Sequence, residues 1–297
     1  MYFLGLITRC KDEYFIEEFC NYYFSEGIDM IYIIDDNSVN KTIYNNLLNN
    51  EKIIIHYMTE ENDKCHDFAC PKSCTCNRVI ANDIYKSIKN NFEWMIYVDV
   101  DEFITTRKNI NNKIRNELQT TLKDFDCIKI PWIMMSCHGK KNPKSVLKNN
   151  IYRINYDLDY NFKCNSLKGK NKFSRQISGK QNQTKSIFKC SKFNGIHDKN
   201  KPSDHYPVFP INNKLKIVNS VNLNKMNLYS KDYNNINENL IKESTLLCYH
   251  YRIISEEHAI NKLNTNNWYI ENKYTLNDLI NNETKDITDL TLKNKII

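Results

Sequence analysis

Short, almost wholly apolar runs recur through the first third of the chain, and each breaks off at charged or polar side chains. Phe3-Leu4-Gly5-Leu6-Ile7 gives way to Thr8-Arg9-Cys10-Lys11-Asp12-Glu13, and Met30-Ile31-Tyr32-Ile33-Ile34 gives way to Asp35-Asp36-Asn37-Ser38. Trp94-Met95-Ile96-Tyr97-Val98 ends in Asp99-Val100-Asp101-Glu102. Such runs read as strands buried on both faces. Lys52 to Met58 reads as a further strand. Between the first two runs, Phe15, Phe19, Tyr22 and Tyr23 fall at helical spacing within Tyr14 to Ser25, and Gly27 is placed to stop that helix. Asn40 to Asn49 is expected to form a second helix. Strand, helix, strand, helix, strand predicts an α/β fold with a central, mostly parallel sheet flanked by helices. Side chains at the carboxyl ends of its strands then lie at the crevice edge, where ligands bind in open α/β sheets.

The acids after Val98 carry the sharpest chemistry. Two residues apart on an extended backbone, Asp99 and Asp101 point the same way. Like charges held together need a cation or a proton between them. The alternative is a strand end with solvated acids.

Later segments are less strongly patterned. Cys127 to Met134 reads as a strand followed by a loop at Ser136-Cys137-His138-Gly139. Lys163 to Lys201, rich in Lys, Asn and Ser, is expected to be either a mobile loop over a site or a basic patch. Ser255-Glu256-Glu257 signals a helix start, and Asn281 to Ile297 is expected to pack on the sheet or to mediate self-association.

Composition narrows the class. With 297 residues, 41% hydrophobic and 12% aromatic, the chain can build a large core and is not disordered. Only 6 Gly and 6 Pro leave the turns to Asn. Net charge of +7 permits polyanion binding, but no nucleic-acid module signature is present, and nucleic acid is not the expected partner. The opening residues lack a signal-peptide core and no apolar run reaches membrane-spanning length, so a soluble, cytoplasmic protein is expected. Of 11 cysteines, most are isolated and expected to be small buried apolar residues. Cys65, Cys70, Cys74 and Cys76 cluster; their spacing leaves zinc, disulfide and thiols all open.

Several motifs in order carry a resemblance. Lys11-Asp12-Glu13 precedes an aromatic helix, and Gly27-Ile28-Asp29, Ile34-Asp35-Asp36-Asn37-Ser38 and Asp99-x-Asp101-Glu102-Phe103 follow; Tyr249-His250-Tyr251-Arg252 comes much later, then Ser255 and Lys262. This resembles glycosyltransferase family 92 and the related family 2-like (DUF23-type) enzymes. The family tends to show Asn where Asp12 stands, and the Cys-rich stretch after Glu60 lies outside its pattern. The resemblance implies a GT-A, Rossmann-like nucleotide-sugar transferase fold over residues 1–255. Residues 1–106 would bind the nucleotide sugar, residues 107–255 would build the acceptor side, and 256–297 would be a C-terminal helical extension.

The implied function is metal-dependent transfer of a hexosyl group from a nucleotide sugar, a UDP-sugar above all, to a hydroxyl on a glycan or protein. The alternatives are a nucleotidyltransferase or other phosphoryl-transfer enzyme, and a non-catalytic carbohydrate-binding protein of the same fold. Departure of a diphosphate develops charge that a hard divalent ion, Mn2+ or Mg2+, neutralises through oxygen ligands. Asp101 is the expected direct ligand, Asp99 a ligand or ribose contact, and His250 the third ligand by resemblance, or else a core histidine. Arg9, Lys11, Glu13, Asp35, Asp36 and Arg78 are expected at the nucleotide, with Asp36 or Asp35 accepting from uracil or ribose. By resemblance Lys185, on a Lys-containing strand from Lys185 to Lys189, is expected at phosphate. Arg252, on the same strand face as His250, is expected at phosphate or paired with Glu102. His197 and His138 are expected at the acceptor, and Trp132 at the acceptor as a sugar platform, a core Trp being the favoured alternative. Glu102, Asp198 and Asp204 are candidate bases for inverting transfer.

Overall fold

The apolar runs become strands close to where the pattern places them. A computed structural model describes residues 1–58, 76–137, 139–158, 182–198, 205–266, 269–270, 273–280 and 285–296. Its strands are β1 (Tyr2–Cys10), β2 (Met30–Asp35), β3 (Ile53–Tyr57), β4 (Phe92–Asp99), β5 (Glu102–Thr106), β6 (Cys127–Met134) and β7 (Tyr152–Arg153), then β8 (Asn182–Lys189), β9 (Phe193–Gly195), β10 (Val208–Pro210), β11 (Ile217–Asn219), β12 (Asp232–Tyr233), β13 (Leu246–His250) and β14 (Ile287–Thr288). Its helices are α1 (Ile16–Ser25), α2 (Asn77–Ile88), α3 (Ile114–Gln119), α4 (Val146–Asn149), α5 (Glu238–Glu243), α6 (Glu256–Thr265), α7 (Leu276–Ile280) and α8 (Thr291–Lys295). This is an α/β protein with mixed, largely parallel sheet structure and flanking helices. Two units interleave along the sequence: one comprises residues 1–100, 112–130 and 185–231, the other residues 101–111, 131–184 and 232–297.

In the first unit β3, β2, β1 and β4 run parallel, and β8 lies antiparallel to β4. β1 continues through Thr8 and Arg9 to Cys10, so Arg9 sits within the strand and not in the loop expected after it. The reason is the ladder on both sides, which pairs Arg9 with Ile34 and Asp99 and Cys10 with Asp35. The expected helix over Asn40 to Asn49 is a correction. Only Lys41–Tyr44 forms a 3₁₀ turn, capped by Asn40 Oδ1 accepting from the Thr42 N–H at 3.1 Å. This Asn-rich stretch of low helix propensity continues in i+3 turns, Leu47 N–H to the Tyr44 carbonyl and Asn50 N–H to the Leu47 carbonyl. The core under the sheet joins Ile7, Ile34, Met95, Tyr97 and Phe188 to Ala81, Ile84 and Tyr85 of α2. Cys127 and Cys190 of that core, and Cys10 and Cys20 elsewhere in the unit, are buried as thiols, and burial pushes each well above its ordinary range. α1 buries Phe19, Tyr22 and Tyr23, and ends where Gly27 takes φ +96. Residues 182–198 form β8, a short turn and β9 with buried Lys185, Ile187 and Phe193, which over that part corrects the mobile loop, one of the two expectations for Lys163 to Lys201.

In the second unit β13 lies parallel to the latter half of β6 and antiparallel to β5. Val100 and Asp101 form a turn between β4 and β5, so the period-two alternation expected to align Asp99 with Asp101 does not hold. Arg153 is fully sequestered and bonds both oxygens of Glu238, at 2.6 and 2.8 Å, and Asp289 at 2.8 Å. The Tyr249 hydroxyl donates to the same Asp289 oxygen at 3.0 Å. α6 starts as expected, with Ser255 Oγ accepting from the His258 N–H at 3.0 Å. Among the described residues no helix is long and apolar enough to cross a membrane.

Candidate functional site

At the carboxyl ends of the first unit's strands a chain of polar contacts crosses from β2 to β8. Asp99, the last residue of β4, accepts through Oδ1 from Arg9, with Nε at 3.0 Å and a second contact from Nη2, and through Oδ2 from Lys185 Nζ at 3.0 Å. One carboxylate thus meets two cations. Lys185 is 2% and Arg9 15% exposed, so both are fixed, while Asp99 at 32% is open to water. Asn77, the first residue of α2, bridges the chain: its amide donates to Asp36 Oδ2 at 2.7 Å and its Oδ1 accepts from Arg9 at 3.4 Å.

The two acids after β2 part company. Asp35 is fully buried, accepting from the Tyr44 hydroxyl at 2.8 Å and the Ser38 N–H at 3.1 Å, with Lys41 at 3.6 Å. Asp36 stays half-exposed and is therefore the acid available to a ligand. Around it the β1 and β2 loops are tied together, since the Asp12 N–H donates to Ser38 Oγ and Asp12 Oδ1 accepts from the Asn40 N–H, both at 2.9 Å. Asp12 and Asn37 both adopt φ near +55, at 54 and 57. Asn and Asp tolerate that region best among residues with side chains. Lys11 is half-exposed on this loop, Glu13 is buried, and Arg78 is half-buried on α2. His197 is buried near the same helix, its N–H donating to Asn82 Oδ1 at 3.3 Å, and Asp198 is half-exposed beside it.

In the second unit Asp101 is the centre. Its Oδ2 accepts from Lys262 Nζ at 3.0 Å and its Oδ1 faces His250 Nε2 at 3.5 Å. The Tyr251 N–H donates to the Asp101 carbonyl at 2.8 Å, fixing the turn against the end of β13. Burial pushes Asp101 up, but Lys262 and His250 together, by charge and hydrogen bonding, outweigh it and hold the carboxyl well below the usual carboxylate range. Burial, helped by the Arg252 and Lys262 charges, pushes His250 down more than Asp101 raises it, so the imidazole is neutral at pH 7. Its ring packs against Trp132 with centroids 4.4 Å apart, and its Nδ1 is buried without a hydrogen-bond partner among the described residues. Arg252 lies past the end of β13 and not on a strand face; its Nε donates to the Tyr269 hydroxyl at 2.9 Å. Glu102 is fully buried opposite His250 in the β5–β13 ladder.

A neutral imidazole nitrogen and an ionised carboxylate oxygen at this spacing fit two positions around a divalent ion. Such ions take their remaining ligands from phosphate and water. Among the described residues no set of three or more His, Cys, Asp or Glu side chains gathers around one point. Cys76 is buried immediately before α2. Cys65, Cys70, Cys74, His138 and Asp204 lie outside the described residues, as does the greater part of Lys163 to Lys201. Sequence reasoning gave no role to Asn77 or Tyr44, and Lys262 entered only through the resemblance. Asn77 is masked by the abundance of Asn, and its one signal is its place beside Arg78 at a helix start. In comparison with known proteins, no protein-family model matches the sequence and no curated protein matches it.

Proposed function

We propose that the protein is a metal-dependent glycosyltransferase of GT-A type that uses a nucleotide sugar, with a UDP-sugar as the donor class and a glycan or protein hydroxyl as acceptor. The observation that carries this reading is the buried Asp101–His250 pair, an ionised oxygen and a neutral nitrogen 3.5 Å apart. Asp101 and His250 would hold Mn2+ or Mg2+, whose chemistry is to neutralise the charge developing on the diphosphate leaving group.

The first unit supports the same reading. Asp36, steadied by Asn77, would accept from a ribose hydroxyl or the uracil N–H. Arg9 and Lys185 hold two fixed positive charges around Asp99, of the kind that meets phosphate oxygens. A base must come within hydrogen-bond reach of the acceptor hydroxyl. Burial of Glu102 does not favour it, whereas half-exposed Asp198 keeps access to solvent.

The test is release of nucleoside diphosphate from a panel of nucleotide sugars with added Mn2+. Asp101→Asn is expected to lower turnover by at least about a hundredfold, the scale of losing a charge-stabilising group. Unchanged turnover in the folded variant rejects the role. Preference for a nucleoside triphosphate over every nucleotide sugar moves the protein to phosphoryl transfer.

A further inference from the structure

The second unit contains a charge that the metal reading leaves unused. Lys262 Nζ donates to Asp101 Oδ2 and to the Arg252 carbonyl, each at 3.0 Å. Two acceptors and 12% exposure fix the ammonium in place, and the Ser255 cap anchors the start of the helix that carries it. Arg252, itself buried, brings a second positive charge to the same surroundings. A divalent ion arriving alone at Asp101 and His250 therefore meets a carboxylate whose charge is already matched. In a site shielded from water the repulsion between like charges is only weakly screened. A nucleoside diphosphate reverses that balance by bringing several negative charges of its own.

We propose that Lys262 makes divalent-cation binding conditional on the diphosphate, excluding the bare ion and admitting it only with the nucleotide. This rests on the assignment of Asp101 and His250 to the ion. Because coupling between two ligands is reciprocal, Mn2+ must strengthen nucleotide binding by the same factor that the nucleotide strengthens Mn2+ binding.

The experiment is a Mn2+ titration of the full chain, read by the paramagnetic signal of the unbound ion, with and without UDP. In the native protein UDP is expected to tighten Mn2+ binding by about tenfold or more, within the usual span of coupling between sites. Lys262→Gln is expected to bind the bare ion about tenfold more tightly and to shrink the effect of UDP, while Lys262→Arg stays within about twofold of native. Equal affinity for the bare ion in native and Lys262→Gln proteins overturns the proposal. So does Mn2+ binding by the native protein that is indifferent to UDP, a measurement that needs no variant to fold. Mn2+ binding that depends on UDP and disappears in Asp101→Asn upholds the metal assignment separately. If the native protein takes up no Mn2+ even with UDP, that assignment and the role of Lys262 fall together.

Discussion

Asp99 illustrates how neighbours set the chemistry of a single side chain. Alone at a strand end it is an ordinary acid, but Arg9 from the adjoining strand and Lys185 from β8 set two cations against it. If those cations serve phosphate, Lys185→Met should weaken UDP binding by about 10- to 100-fold, the worth of one hydrogen bond to a charged group. Arg9 remains to compensate Asp99 in that variant, so the fold should survive. Titration calorimetry showing native affinity would remove Lys185 from the binding site. The strand-end acids were legible because abrupt apolar-to-acidic breaks need no knowledge of neighbours. Which of Asp35 and Asp36 is accessible was not, since it turns on Tyr44, whose hydroxyl reaches back from a turn nine residues on.

At the scale of elements, the sequence was most informative where both faces of a strand are buried. β6 has the bounds its pattern predicts, and β2 exceeds its pattern only by Asp35. Failure came where an Asn-rich stretch of low helix propensity settles into successive i+3 turns, as after Asn40, and where a ladder outlasts its apolar run, as at Arg9 in β1. Gly27 shows a stop signal whose basis is geometric. Its φ of +96 suits glycine, and a Cβ there would lie 2.7 Å from the Cβ of Arg115. Gly27→Ala should therefore cost about 1–3 kcal/mol, combining backbone strain with the close approach. Urea denaturation checks this, and an unchanged midpoint would show that the turn relaxes freely.

For the molecule as a whole, the interleaving of the two units could not be read from local patterns, because it is set by pairings between distant segments such as β13 with β5. The charge network of the second unit is equally non-local, since Arg153, Glu238 and Asp289 are far apart in the chain. Burial pushes Asp289 up, but Arg153 with Thr291 and Arg107 outweighs it and leaves the carboxyl below its ordinary value. A carboxyl lowered by folding contributes stability that is fully present above its unfolded pKa and lost as pH falls through the folded value. Asp289→Asn should accordingly cost about 3–5 kcal/mol at pH 7, the scale of breaking a buried pair, and flatten the decline in stability below about pH 4. Denaturation midpoints measured from pH 7 to pH 3 decide it; parallel curves for the two proteins would exclude Asp289 from the acid response.

The sequestered thiols of Cys10, Cys20, Cys127 and Cys190 have a practical corollary. Thiol reagents attack the thiolate, which burial suppresses at these positions, so labelling there must wait for the backbone to part. The speed with which each takes up a small alkylating agent is then a clock for local breathing. Cys10 reports on the strand that bears Arg9, and Cys127 on the start of β6, with no probe introduced by mutation.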